Sequence, residues 1–385
     1  MGVPTDRPAA RERLLAWFER RLNLTEIFSL LSIYGLFYTE LDTRKPLRQA
    51  LREAVARPLP SYARWPRLLG LLAVGLFVVQ AVTGALLAFY YQPTTEAAYA
   101  SVRSIVRDVR FGWFVHQIHR WGAQLLLAVL IVRLLRFFYD RLYRAPRELL
   151  WVVAVALLAV GIQLELTGRL LTWNSLSYWS TTRGLEVVFD LPVVGSILAF
   201  LIGGHEVGEL TLVRFYFLHV AIVPLVFAVL LYLSFATIRR VGLSPEADEM
   251  GTAGRGQYVA HLYNVAVLLT LIFAALVTLA VIVPAPFPGQ ADPFATPVGV
   301  RPPWYLLAAY GFQELFPTFV PHWVSGALLL LTLLLFTALP FVEARVPERA
   351  QGRRLVFLLG IAIFVLWGAC AAYGFWLDMP RGGGG

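Results

Sequence analysis

The chain has 385 residues, 58% of them hydrophobic, 14% aromatic and only 15% charged, with a mean hydropathy of +0.66 and a formal net charge of +9. This composition excludes an ordinary water-soluble domain and fits a polytopic, all-α membrane protein, because lipid leaves no partner for open backbone groups. The positive excess then reads as a signal for topology and for anionic lipid, and nucleic acid is a poor second partner.

Residues 1–59 are predicted to be a cytoplasmic amphipathic segment. The apolar stretch Ile27–Tyr38 is short, is broken by Gly35 and lacks a small-residue cleavage site, so it does not read as a secretory signal. Leu14–Leu22 and Leu47–Val55 place apolar and basic residues at helical spacing, which suits helices lying on the membrane surface.

A spanning helix needs about 20 mainly apolar residues. Seven stretches qualify: 67–91, 111–137, 149–168, 211–236, 260–284, 322–342 and 355–377. An eighth, Val187–Gly204, carries Asp190 and Pro192 and is interrupted by Gly195, and is predicted to form short interfacial helices. Arginine placement supports seven. One side collects twelve Lys/Arg up to Arg67, five from Arg133 to Arg147, Arg239, Arg240 and Arg255, and four from Arg345 to Arg354. The other side holds Arg103, Arg107, Arg110, Arg169, Arg183, Arg301 and Arg381. Positive charge is retained on the cytoplasmic side, so the N-terminus is predicted to be cytoplasmic in a bacterial-type inner membrane. Cys370, the one cysteine, reads as a small buried hydrophobe in the last span. No Cys-x-x-Cys-His motif attaches a c-type haem.

His119 and His219 lie about eight residues into the second and fourth spans, which run in the same direction under this count. At about 1.5 Å per residue both sit roughly 12 Å below the outer helix ends. Equal depth permits one metal between them, and two neutral imidazoles from facing helices are a haem's axial ligands. A lone intramembrane histidine serves equally well in an interhelical hydrogen bond, so the matched pair carries the argument. Gly70 and Gly84, fourteen residues apart on the first span, share a face about 21 Å apart along the axis. Such gaps admit a flat macrocycle, or close helix packing.

The runs VQAVTGALLAFYYQPTTEAAYASVRSIVRDVRFGWFVHQIHRWGA, APRELLWVVAVALLAV and TLVRFYFLHVAIVPL resemble the cytochrome b family, especially its cytochrome b6 branch. PPWYLLAAYGFQELFP and TALPFVE are similar to the downstream part, a separate subunit IV in that branch and fused here. The resemblance covers about residues 60–377. It implies a four-helix haem bundle over 60–257 and a three-helix quinol-site module over 258–385.

The departures are informative. In the family each ligand helix has a second histidine fourteen or fifteen residues on, which holds a cytoplasmic-side haem. Here those positions are Arg133, and Leu233 or Ser234. A fixed guanidinium opposes a ferric haem centre, and His261 lies outside the four-helix bundle, so one haem b is expected, on the outer side. The family's quinol site carries Pro-Glu-Trp-Tyr, whose glutamate is thought to accept a proton. This chain reads Pro302-Pro303-Trp304-Tyr305, and proline takes no proton. Glu165, one turn before the outer end of the third span, and Glu314, beyond PPWY, are the candidate replacements, since an intramembrane carboxylate is a functional candidate by default. Glu165 equally suits an arginine pair. Thr172-Trp173 replaces the family's usual Pro-Trp.

His116, one turn above His119, stands where relatives often have an arginine near a haem propionate, and reads either as a propionate partner or as a surface histidine. Arg120 and Arg214 either neutralise propionates or reach lipid headgroups. His205 and His322 read as solvated loop histidines, and Arg133 and Arg136 as possible holders of a lipid phosphate or an acidic group.

The sequence therefore points to an electron-transfer subunit, not catalytic alone, whose single haem links a quinone pocket to an outer-face partner: a Rieske or other iron-sulfur protein, or a c-type cytochrome. Other membrane subunits accompany it, and pairing with a second copy is left open. Without an inner haem, the step of about 21 Å across the bilayer breaks, and no transmembrane Q-cycle is expected. Two rivals remain: a structural anchor descended from cytochrome b, with haem vestigial or absent, and a full quinol oxidase whose second haem has unusual ligands. No phosphate loop, zinc cluster or nucleophile constellation competes.

Overall fold

The computed structural model describes residues 41–56, 68–241, 255–297, 300–317, 319–345 and 350–377. The expected surface helix at Leu14–Leu22 lies outside them. The described residues contain helices and no strand, with one isolated bridge between Asn174 and Gln290. In chain order the helices are α1 (Leu47–Ala56), α2 (Leu69–Ala88), α3 (Ala98–Arg107), α4 (Gly112–Tyr139), α5 (Glu148–Leu170), α6 (Ser175–Phe189) and α7 (Val194–Ile202). They continue with α8 (Glu209–Phe217), a π turn (Leu218–Ile222), α9 (Val223–Val241) and α10 (Arg255–Ile282). A 3-10 turn (Trp304–Leu306) then leads into α11 (Leu307–Gln313), α12 (His322–Thr337), α13 (Leu339–Ala344) and α14 (Ala350–Leu377).

Six helices among the described residues are long and apolar enough to cross a membrane: Leu69–Ala88, Gly112–Tyr139, Glu148–Leu170, Glu209–Ile238, Val259–Ile282 and Phe357–Leu377. The chain is a multi-pass membrane protein. The expectation of a seventh unbroken span at 322–342 is corrected, because the segment divides into α12, of 16 residues, and α13, of 6. Pro340, in the first turn of α13, lacks the amide that would continue the ladder from α12. The stretch Val187–Gly204 likewise divides at Asp190–Val193, between α6 and α7, as its aspartate and proline predict.

The described chain separates into two compact units. The first comprises the described residues within 1–75 and 231–272. In it α1 turns Ala50 and Ala54 onto Leu41, while Lys45 pairs with Glu53 at 2.7 Å on the solvent side. Leu68, Leu71, Phe235 and Val265 form a second apolar cluster.

The second unit comprises the described residues within 76–230 and 273–385. Three side chains of α4 fasten it to the backbone that follows α10: Gln117 bonds the amide of Ala285 at 3.0 Å, Arg120 the carbonyl of Pro286 at 3.4 Å and Trp121 the carbonyl of Val283 at 3.0 Å. At one end of α4 and α5, Phe138 stacks on Phe357 and meets Phe364 edge-on, Trp151 meets Phe336 edge-on, and Tyr143 packs edge-on against Trp151. There the Arg144 guanidinium meets the Glu343 carboxylate, which is only 4% exposed. Gly311 and Gly374 let α11 and α14 touch backbone to backbone, and a side chain at Gly311 would strike the Cys370 carbonyl. Cys370 is buried and free, as its setting predicts.

Candidate cofactor site

His119 on α4 and His219 on the π turn face each other with ring centroids 6.1 Å apart and planes at 80°. A metal about 2 Å from one nitrogen of each ring would hold two imidazoles at close to this separation. The π turn adds a residue to the helix where His219 sits, a distortion that recurs at functional sites and that has no signature in the apolar pattern.

The two histidines are held by matching devices. Thr83 and Gly84 on α2 attend His119, and Thr167 and Gly168 on α5 attend His219. The Thr83 hydroxyl donates to the Val79 carbonyl at 2.6 Å and stands 2.9 Å from Nδ1 of His119. The Thr167 hydroxyl donates to the Gln163 carbonyl at 2.7 Å and stands 3.3 Å from Nδ1 of His219, which also lies 3.0 Å from the Leu164 carbonyl. Each hydroxyl already donates to a carbonyl, so it accepts from Nδ1–H, and this tautomer leaves the Nε2 lone pair free to bind a metal. The glycines remove bulk at the same places. A Cβ at Gly84 would lie 3.1 Å from Cε1 of His119, and one at Gly168 would run into the His219 ring. Sequence reasoning found Gly84 and missed Thr83, Thr167 and Gly168, although the repeated Thr-Gly pair was there to be read.

A cavity of about 330 Å³ opens around the pair and is lined by Gly84, His116, His119, Arg120, Glu165, Gly168, Arg169 and His219, among others. That volume falls within the roughly 300–1,000 Å³ typical of cofactor sites. His116 is buried, and its Nδ1 has no hydrogen-bond partner among the described residues. The cavity mouth is polar: Asn174 donates to the Thr172 hydroxyl at 2.9 Å, which donates to Ser177 at 2.7 Å. Between them Trp173 adopts a left-handed φ of 45° while 4% exposed, a conformation costly for a bulky residue and held by its surroundings.

Two expected cofactor residues are placed elsewhere. Arg214 bonds the carbonyls of Phe200 and Leu201 at 2.8 and 3.0 Å and so satisfies the end of α7. Gly70 does not line the cavity and packs against the Phe235 ring, 3.3 Å from where its Cβ would be. Of the two candidate carboxylates, Glu314 is exposed at the end of α11. Glu165 is 11% exposed, accepts a hydrogen bond from Gln124 and stands 3.6 Å from Arg169. The Gln124 amide oxygen accepts from the Trp304 indole at 2.5 Å, which ties Glu165 to the PPWY segment. Burial, and the Glu165 carboxylate nearby, push the Tyr305 hydroxyl pKa well above its ordinary value. His205 is exposed, its ring edge-on to Phe189, and the His322 side chain lies outside the described residues.

One membrane depth along α4 from His119, Arg133 is 3% exposed, with its guanidinium 4.7 Å over the Phe137 ring. Fourteen residues before Gly168, where a second glycine gap would fall on α5, stands Ala154, 4% exposed. The layer between is filled by Leu127, Leu130, Leu157 and Phe227, each at most 2% exposed.

Comparison with known proteins places the chain in a family. The family model described as Cytochrome b/b6/petB matches residues 55–242, and the model described as Cytochrome b(C-terminal)/b6/petD matches residues 290–375. Cytochrome b6 of Heliomicrobium gestii is 40% identical over 207 residues, which cover 53% of this chain and 97% of the relative. That of Synechococcus elongatus is 34% identical over 208 residues, covering 54% and 97%. The chain belongs to the cytochrome b family. A solved chain described as "Hyperthermophilic respiratory Complex III" shares the fold, with a TM-score of 0.69 at 22% identity over 94% of this cytochrome b-type chain and 99% of that one. The family is one of haem b proteins, and His119 and His219, with their Thr-Gly cradles, fit that group.

Proposed function

We propose that the chain is the cytochrome b-type membrane subunit of a bc-type oxidoreductase, holding one haem b between His119 and His219 near the outer face. It relays electrons between a quinone pocket beside the PPWY segment and an outer redox protein, either an iron-sulfur protein of Rieske or other type or a c-type cytochrome. Residues 60–257 form the haem module and 258–385 the quinol-site module. The N-terminus is cytoplasmic and other membrane subunits complete the complex, a placement that rests on the arginine distribution and on the relatives.

The observation that carries the reading is the paired cradle. Two imidazoles 6.1 Å apart, each with Nδ1 engaged and a glycine against its ring, are arranged for a shared metal on a flat ligand, and a role in helix packing alone leaves the matched tautomers unexplained. When bound, the haem supplies a one-electron redox centre. This chain supplies its ligands, its polar mouth and, in Arg120 and Arg169, positive charge for its acidic edge. Arg133 and Ala154 in the inner positions support one haem and no transmembrane Q-cycle.

Haem b per polypeptide in the purified complex tests this. One haem per chain is expected, with a single b-type transition in a reductive titration. Two transitions would establish the full quinol-oxidase reading, and no b-type band the anchor reading.

A further inference from the structure

Glu165 has no counterpart in the chemistry of the two ligands, yet it stands between the cavity and the PPWY segment. Its carboxylate lines the cavity wall and is joined through Gln124 to Trp304. The charged groups acting on it are Arg169 on its own helix, 3.6 Å away, and Arg120 on α4; Tyr305 stands near it beside Trp304, and His116, His119 and His219 line the same cavity. Arg169 and Arg120 offset the Glu165 carboxylate, and an electron entering the cavity adds a further negative charge. A unit charge within about 10 Å, at an effective dielectric of about 20, changes a neighbouring group's proton affinity by roughly tenfold.

We propose that Glu165 is the redox-linked proton site of this cavity. Its carboxylate oxygen takes one proton from water when the iron between His119 and His219 gains one electron from a quinol or an outer one-electron carrier, and returns it when the electron leaves. The proton is held on a cavity wall next to the segment where a quinol hydroxyl would exchange it, a place that position 303, a proline, cannot fill. This inference rests on the single-haem reading above.

Equilibrium redox titration of the b-type band, repeated at several pH values on the purified complex, tests it. The wild-type reduction equilibrium should change by up to tenfold per pH unit, about 59 mV for a one-electron couple. Glu165→Gln should keep the full b-type band, hold the potential near its low-pH value and lose the pH dependence, and Glu165→Asp should restore it. A Glu165→Gln profile with the wild-type slope would overturn the proposal. So would a flat wild-type profile with the haem in place, or a pH dependence lost in His116→Gln but kept in Glu165→Gln. Absence of the b-type band from the wild type would instead overturn the reading on which the proposal rests.

Discussion

Along α4 and α5, the turns around His119 and Gly168 and the turns fourteen residues away obey different rules. The first carry a metal-ready imidazole, a glycine and a threonine that fixes the tautomer of the facing histidine. The second carry Arg133 and Ala154, both buried, and between the two levels the bundle is closed by Leu127, Leu130, Leu157 and Phe227. In the proposed reading, cofactor binding is a local property of one level of a bundle. It takes ligands, gaps and tautomer control together, and a helix of the same length and hydropathy supplies none of them by default.

Substitutions can break that contrast or sharpen it. The largest effect falls on the ligands: His119→Leu or His219→Leu should abolish the b-type absorbance band, whereas His205→Leu should leave it intact. Gly168→Val should come next, because its side chain occupies the space of the His219 ring. Haem content should fall severely, while Gly70→Ala, facing only the Phe235 ring, should leave it unchanged; pyridine haemochrome assay reads both. Removing tautomer control by Thr83→Val should cost about 10–100-fold in haem affinity, measured by haem transfer to an apoprotein acceptor. At the opposite end of α4, Arg144→Ala strands the Glu343 carboxylate without its ion pair, a stability loss of about 3–5 kcal/mol. Thermal unfolding in detergent should record it with the b-type spectrum unaltered in the folded protein. The smallest change is expected for Arg214→Ala. It releases the α7 carbonyls at a cost of about 0.5–1.5 kcal/mol per hydrogen bond and should not touch haem content or potential, since Arg214 does not line the cavity.

Much of this was legible in the amino-acid order. Apolar runs of bilayer length located six helices, because lipid forces the backbone into helices, and the matched depth of His119 and His219 selected them from six histidines. Other features were not. The break at Pro340 looked like a continuous span because apolar composition outweighs one proline in a sliding reading. Arg214 looked like a propionate partner by its position along the helix, but its reach is fixed by the end of α7, whose approach depends on the turn at Gly203, with φ of +97°. Glu165 could be named as a carboxylate in an apolar helix, but its tie to Trp304 joins residues 139 positions apart, through a glutamine on a third element.

By itself the sequence determined the solvent, the helices and the two histidines at matched depth, and the family resemblance marked the inner positions that lack histidine, since each follows from residue type and position along one helix. Only the tertiary structure decided which nitrogen of each histidine is free, which glycines face the rings and which carboxylate meets the PPWY segment. Those depend on the rotation and approach of helices packed side by side, and interhelical contacts of a few ångströms leave no period in the chain that makes them.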